Sequence, residues 1–363
     1  MNDKLARRVM QHCFGEAGSG GPVVAFERLL AGSTGFYGQI RQTQPAGGLN
    51  LALIRRFVSD IRAFHPELIH VRGLGNEGFH AVVAAKLAGV PNILVSIHGT
   101  HRDLRQPGNR LRRWVVTRVL EPLTMVMATH IATVCEFGAN RSFLTPFRQK
   151  VVGAVPNGVN IPDFTLAADP GLRGRWGIPV NWPLAVCVSR ITNEKGYSVL
   201  AQALAHLDGK DINFAVLVVG GGDEGGRIQN LFVGLRYIKV VFVGHQKDVG
   251  SFLAASDFFL FPSLHENLSN ALIEAMAQGL PAIASAVGGN TEVMKKGGGV
   301  LVQVGNAEAL ADAITCFLAD PDAVKRMGVE ARENVRRHYS LEQMVAGWED
   351  IYDRILKDGH GKA

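Results

Sequence analysis

Short apolar runs alternate with longer stretches in which apolar residues recur every three to four positions, along the whole of the 363-residue chain. Short runs bounded by turn signals predict buried parallel strands, and the longer periodic stretches predict the helices between them. In the first half, strands are predicted over 8–14, 68–71, 92–97, 130–134 and 151–155. Helices are predicted over 22–31, 50–64, 78–88, 109–120 and 137–144. Residues 155–163, with Pro156, Asn157-Gly158 and Pro162, carry turn chemistry and no core face. The alternation then restarts, with strands over 184–188, 214–219, 240–243, 258–261, 281–284 and 300–304. Ser340 with Gln343 makes a capping box that opens a last helix, roughly 341–357, before a fraying tail.

This pattern predicts an α/β protein of two Rossmann-like, doubly wound domains facing across a cleft. The first domain spans 1–163, a linker 164–182, the second domain 183–340, and a closing helix 341–363 is expected to pack back toward the first domain. Ligands of such sheets sit at the carboxyl ends of the strands.

Composition narrows the class. Hydrophobic residues make up 47% of the chain and charged residues 19%, which excludes global disorder. The four cysteines, Cys13, Cys135, Cys187 and Cys316, form no Cys-x-x-Cys pair, so they are expected as buried free thiols rather than a zinc site or disulfide scaffold. No export signal and no apolar run of spanning length is visible, which predicts a cytoplasmic protein, at most peripheral on the membrane's cytoplasmic face.

Charge is uneven. Residues 1–165 hold 19 Lys and Arg against 10 Asp and Glu, while the remainder holds 19 against 22. Arg102, Arg105, Arg110, Arg112, Arg113 and Arg118 cluster around Leu111, Trp114, Val115 and Val119. An amphipathic helix there could lay Trp114 and its basic neighbours Arg110, Arg112 and Arg113 on an anionic membrane. The alternative is a packed Trp114 with merely solvated arginines.

Four segments could carry chemistry. Gly18-Ser19-Gly20-Gly21-Pro22 joins the first strand to a helix, and could bring backbone N–H groups of Gly20 and Gly21 to an anion or simply make a tight turn. Gly220-Gly221-Gly222-Asp223-Glu224-Gly225 fits a dinucleotide fingerprint formally, but the next strand ends Val243-Gly244-His245 without the required acid. Arg190 and Lys195 follow a buried strand at its carboxyl end, where a guanidinium fork and an ammonium can hold a diphosphate; a surface pair with Glu194 is the alternative. The fourth segment runs from Phe261 to Pro281. Glu266 lies in its loop, a helix opens near Ser269, and Glu274 lies off that helix's apolar stripe. Carboxylates there can accept from sugar or ribose hydroxyls, while the backbone of Asn267, Leu268, Ser269 and Asn270 meets phosphate.

In their order along the chain, these blocks resemble the retaining glycosyltransferases of family four (glycosyl transferases group 1), which have the GT-B fold. The block 262–281 with Gly288-Gly289-Asn290-Thr291-Glu292 is similar to the family's donor-side signature, including two glutamates eight positions apart. Arg190 and Lys195-Gly196 fall on its diphosphate-binding pair, and Val155-Pro156-Asn157-Gly158 on its domain junction. Gly18 to Gly21 matches its first glycine loop, Ser96-Ile97-His98-Gly99 its acceptor-side histidine strand, and Val241-Phe242-Val243-Gly244 the strand before the nucleobase loop. Where the family often has Gly-Phe-Gly after the first glutamate, this chain has Asn267-Leu268-Ser269.

The resemblance implies transfer of a sugar, with retained configuration, from a nucleoside-diphosphate sugar to a saccharide or lipid-linked saccharide acceptor of cell-surface polysaccharide. A UDP-sugar is the first choice and GDP-mannose the second. Arg190, Lys195, Glu266 and His98 would act at the reaction centre. Gly20, Gly21, Gly220, Gly221, Gly244, His245, Asn267, Leu268, Ser269, Asn270 and Glu274 would bind the donor. No cofactor, no metal and no nucleic-acid partner are expected: His98 and His101 lack a third ligand, and Asp320-Pro321-Asp322 falls at a helix-to-helix turn. A nicotinamide oxidoreductase, a non-catalytic subunit of the same fold, a sugar-nucleotide epimerase and a soluble acceptor are the rival readings.

Overall fold

The computed structural model describes residues 7–18, 20–35, 37–100, 102, 110–162, 169, 171–210, 212–222 and 224–360. The chain divides into two compact units: residues up to Gly158 with those from Leu341 onward, and Val159–Ser340. The boundary thus falls inside the turn motif, earlier than the expected position 163.

The first unit is a six-stranded sheet in the order β2-β1-β3-β4-β5-β6. Its strands are β1 (Val9–Phe14), β2 (Tyr37–Gln42), β3 (Leu68–Arg72), β4 (Asn92–Ile97), β5 (His130–Thr133) and β6 (Val151–Ala154), all parallel. Alternation divides their side chains between two helical layers. Met10, Ile69, Val71, Ile93 and Val95 pack against Ile54, Phe57 and Ile61 of the helix Leu51–Phe64. Each such side chain contributes about 1.5–3 kcal/mol when fully buried. That helix starts where the Asn50 side chain accepts from Leu53 N–H, and stops at His65, whose left-handed φ of 51° precedes Pro66. On the opposite face Val9, Leu68 and Leu94 meet Leu29 of the helix Gly20–Gly32 and Trp348, Ile351 and Tyr352 of the helix Leu341–His360. The last helix therefore belongs to the first unit's core.

The second unit is a parallel sheet in the order β12-β11-β10-β7-β8-β9. Its strands are β7 (Leu184–Val188), β8 (Phe214–Val219), β9 (Ile238–Gly244), β10 (Phe258–Phe261), β11 (Ala282–Ser285) and β12 (Gly299–Val302). Leu184, Val186 and Leu217 feed one core layer; Ala185, Cys187 and Val216 feed the other. In both sheets the chain winds outward from its first strand and then restarts on that strand's other side. The switch points lie between β1 and β3 and between β7 and β10.

Several expectations need correction. The segment 164–182 is not simply a linker: Leu172 and Ile178 are buried in the second unit's core, and the Arg173 guanidinium binds Asp257 at 3.1 Å (residues 164–168 and 170 lie outside the described residues). β2 went unpredicted because it is an edge strand that buries only Ile40 and Gln42. The helix predicted over 137–144 is a short turn, Glu136–Ala139, followed by a tighter helix, Ser142–Lys150. The helix predicted over 109–120 does not stop at Glu121-Pro122. It runs as Arg110–Val115, a π-helical turn over Val116–Leu120, and Glu121–Met127. The wide turn places Pro122 in the first turn of the last piece, where its missing N–H is tolerated. Asn109 lies outside the described residues. Finally, Cys13, Cys135 and Cys187 are buried as expected, but Cys316 is exposed.

Candidate functional site

The second unit's switch point gathers the predicted cations and carboxylates. Lys195 ends the loop after β7, and Glu266 lies in the loop after β10. Lys195 Nζ donates to Glu266 Oε1 at 2.5 Å, and Ser263 Oγ donates to the same oxygen at 2.8 Å. Glu266 is only 8% exposed, and the Lys195 ammonium lies over the Phe261 ring. The loops are also joined through the backbone, Leu264 N–H donating to Glu194 O at 2.8 Å. Gly196 permits this approach: its φ is +73°, and an added Cβ would stand 1.9 Å from the Pro262 carbonyl oxygen.

Arg190 lies one turn earlier on the same loop, largely exposed, with one Nη on Glu194 at 3.0 Å. The surface pair therefore forms, without withdrawing the guanidinium. Arg190, Gly220, Gly221, His245 and Gln246 line one cavity of about 310 Å³ at the ends of β7, β8 and β9. Gly244 closes β9 and accepts from Gly220 N–H at 2.9 Å. The glycine run has a packing reason. A Cβ on Gly220 would lie 1.9 Å from Ser189 O. Just beyond, Glu224 takes both the backbone and side-chain N–H groups of Asn193 at 2.7 Å. This run follows the unit's second strand rather than its first, which removes the dinucleotide reading.

The helix Asn270–Ala277 opens beside Glu266. Ser269 caps it, its hydroxyl accepting from Leu272 N–H, while Leu268 packs partly against the core. The Asn267 carbonyl accepts from Gly289 N–H at 2.6 Å, which holds Gly288-Gly289 beneath the loop. Asn267, Asn270 and Glu274 are half-buried at this end of the sheet. Replacement of the family's Gly-Phe-Gly thus provides a cap at Ser269 and a core contact at Leu268.

In the first unit, Gly20 and Gly21 open the helix Gly20–Gly32, so Pro22 is its third residue rather than its first. The Gly18 N–H is taken by Glu27 at 3.2 Å, and Ser19 lies outside the described residues. His98 follows β4, half-buried, with Nε2 3.3 Å from Ser96 Oγ. Burial, and then the positive charge of Arg72, lower its pKa to about 3, so it is neutral at physiological pH. Sequence reasoning missed the polar cluster beside it. Arg72 Nη1 donates to Gln11 Oε1 at 2.9 Å; Gln11 Nε2 donates to the Tyr352 hydroxyl at 3.0 Å; and His70 Nδ1 lies 2.7 Å from that hydroxyl. Polar residues inside the apolar runs Met10–Cys13 and Leu68–Arg72 were the signal available.

Arg110, Arg112, Arg113 and Trp114 are exposed on the short helix, Trp114 by 57%, and Leu111, Leu123 and Val126 are exposed nearby. Arg102 is not one of this set: it pairs at 2.8 Å with Glu121, which is fully buried, and lies over the Phe143 ring. Arg105 lies outside the described residues. Among the described residues no helix is long and apolar enough to cross a membrane, and no three His, Cys, Asp or Glu side chains gather as metal ligands. Asp320 caps the helix Pro321–His338, and His101 lies outside the described residues.

Comparison with known proteins covers both units. Residues 7–158 match the glycosyl transferase 4-like domain, and residues 170–334 match glycosyl transferases group 1. N-acetyl-alpha-D-glucosaminyl L-malate synthase of Bacillus anthracis is 33% identical over 52% of this chain and 49% of its own. The match therefore spans about half of that relative's length. The putative teichuronic acid biosynthesis glycosyltransferase TuaC of Bacillus subtilis is 28% identical over 88% of this chain and 78% of its own. Among solved structures, Anabaena HepE in complex with UDP-glucose superposes with a TM-score of 0.76 at 17% identity, over 96% of this chain and 99% of that one, a likeness of fold. With its halves matched in order by the two models, and with two parallel sheets of the GT-B kind, the chain belongs to the family-four-like glycosyltransferases, group 1.

Proposed function

We propose that the protein transfers a sugar, with retention, from a nucleoside-diphosphate sugar held by the second unit to a saccharide acceptor held by the first. The observation that carries this reading is the Lys195–Glu266 pair at the β7/β10 switch point, beside a cavity lined by Arg190, Gly220, Gly221 and His245. The leaving group is a diphosphate, and negative charge builds on its oxygen as the anomeric carbon becomes cationic. An ammonium has three N–H groups, so Lys195 can hold Glu266 and still reach a phosphate oxygen. Arg190 supplies a second cation, and the capped helix at Ser269 the positive end of its dipole. Among the described residues both side-chain hydrogen bonds to Glu266 fall on Oε1, and in this reading Oε2 accepts from the sugar hydroxyls.

In this reading Glu274 takes the ribose, Gly220, Gly221, Gly244 and His245 border the base, and backbone groups of Asn267 to Asn270 meet phosphate. His98 is the first unit's contribution to the reacting sugar, and Gly20 and Gly21 its contribution to the donor. Retention follows from same-face attack, the leaving phosphate helping to take the acceptor proton. The lysine, arginine and helix terminus supply the charge that a metal supplies in other transferases, so no metal is required. A UDP-sugar is the first-choice donor, as in the HepE complex, with a GDP-sugar second. TuaC points to a cell-surface polysaccharide, and exposed Trp114 and Leu111 among Arg110, Arg112 and Arg113 favour a lipid-linked acceptor presented at an anionic cytoplasmic leaflet. Slow release of UDP from a UDP-sugar in excess EDTA, without acceptor, tests the reading. Release that falls in Lys195→Ala supports it; no release from any nucleotide sugar would leave a non-catalytic subunit of this fold.

A further inference from the structure

Arg72 is the last residue of β3, at the carboxyl edge of the first unit's sheet and on the β1/β3 switch point. It is 5% exposed, yet no carboxylate pairs with it among the described residues. Its Nη1 is held by Gln11, and its guanidinium lies 5.2 Å from the centroid of the Phe26 ring, on the opening turns of the helix Gly20–Gly32. Its Nη2 is buried and has no hydrogen-bond partner among the described residues. The groups around it do not neutralise it. His70 is on the same strand face, held to Tyr352, His98 follows the neighbouring strand, and His12 is on the opposite sheet face. Burial keeps all three imidazoles neutral, lowering His12 to about 4 and His98 to about 3. Glu27, on the same helix as Phe26, is engaged by Gly18 N–H and Arg41.

A buried guanidinium with an unpartnered donor costs stability unless something else supplies the negative charge. Open α/β sheets bind their ligands at this place, outside the carboxyl ends of the strands flanking the switch point. We infer that Arg72 Nη2 binds an anionic group, phosphate or carboxylate, of the acceptor. The Gln11–Tyr352–His70 chain orients the guanidinium and makes Arg72 a specificity-determining residue. Only the identity of the molecule carrying that group rests on the glycosyltransferase reading.

Thermal unfolding with inorganic phosphate and with malonate, each with and without saturating UDP, tests the inference on wild type, Arg72→Met and Arg72→Lys. An anion at about ten times its dissociation constant should raise the wild-type Tm by roughly 3 °C, and the shift should persist in UDP. Phosphate acting alone indicates a phosphorylated acceptor, malonate acting alone an acidic one. Arg72→Met should keep or exceed the anion-free Tm and lose the shift. Arg72→Lys, which keeps the charge if the methionine variant fails to fold, should retain a weaker shift. An undiminished shift in Arg72→Met, or none in wild type with either anion, overturns the inference, and a shift abolished by UDP overturns the acceptor assignment. A protein that takes phosphate at Arg72 but binds no nucleotide would instead defeat the transferase reading alone.

Discussion

Lys195 Nζ and Glu266 Oε1 stand 2.5 Å apart although 71 residues separate them in sequence. The contact exists because β7 and β10 are neighbours in a parallel sheet, so the loops at their carboxyl ends emerge side by side. A pair placed there bonds the two loops and, in the proposed transfer, is half of an electrostatic site.

Removing either cation should therefore affect chemistry more than folding. Lys195→Ala and Arg190→Ala are each expected to lower turnover by about 10²-fold or more, the usual cost of losing one preorganised charge donor. Lys195→Ala should also cost more stability than Arg190→Ala, because it leaves Glu266 buried without its cation, whereas Arg190 is exposed. Turnover of both variants, with urea titrations alongside, checks this. Near-wild-type turnover in both would remove the diphosphate role.

Gly196→Ala should destabilise the second unit and weaken nucleotide binding together. An alanine at φ +73° costs about 1–2 kcal/mol, and its Cβ would meet the Pro262 carbonyl oxygen. Separating the loops moves Lys195 from Glu266. A variant with reduced stability and unchanged nucleotide affinity would show that the loop contact does not shape the site.

Both units could be read from the sequence as parallel α/β sheets because β7, β8 and β10 are continuous apolar runs and β3 and β4 are largely apolar. The strand, loop and helix of the segment 261–281 were equally readable, since Glu266, Ser269 and Glu274 stand at fixed offsets along it. What escaped depended on distant partners. Edge strand β2 pairs through a backbone its polar sequence does not advertise. Glu121 lies just past the end of the helix predicted over 109–120, yet is buried with Arg102 paired to it. Arg72 reads as the polar end of a strand, and only the fold places Gln11, Phe26 and Tyr352 around it.

Acid should loosen the first unit before its carboxylates titrate. His12, His70 and His98 have folded pKa values below the ordinary 6.5, chiefly through burial, so the unfolded chain binds more protons as pH falls below 6.5. Stability is thus present above 6.5 and is lost as pH falls toward about 4 for His12, roughly 3 kcal/mol for that residue over the full interval. Urea titrations at pH 7.0 and 5.5, followed by fluorescence of buried Trp348, should show the decline. A flat profile across that interval would contradict the buried neutral imidazoles.

Anionic liposomes should pellet the protein at low salt and release it at high salt, since each basic side chain near such a surface contributes about 1 kcal/mol and salt screens it within roughly 10 Å. Replacing Arg110, Arg112 and Arg113 with serine should abolish pelleting, whereas Arg102, engaged by Glu121, should matter only through stability. No pelleting at any ionic strength would make a soluble acceptor the better reading.

A nucleoside-diphosphate sugar held at the β7/β10 switch point by Arg190, Lys195 and Glu266 is the premise of the proposed transfer. Calorimetric titration of UDP-, GDP- and ADP-sugars into wild-type protein in EDTA, repeated with the Arg190→Ala/Lys195→Ala double variant, tests it most directly. Saturable binding of at least one of them, UDP-sugars first, is expected without added metal, with a loss of about 10²-fold or more in affinity in the double variant. Binding that is absent until a divalent cation is added, or equal in wild type and the double variant, would contradict it.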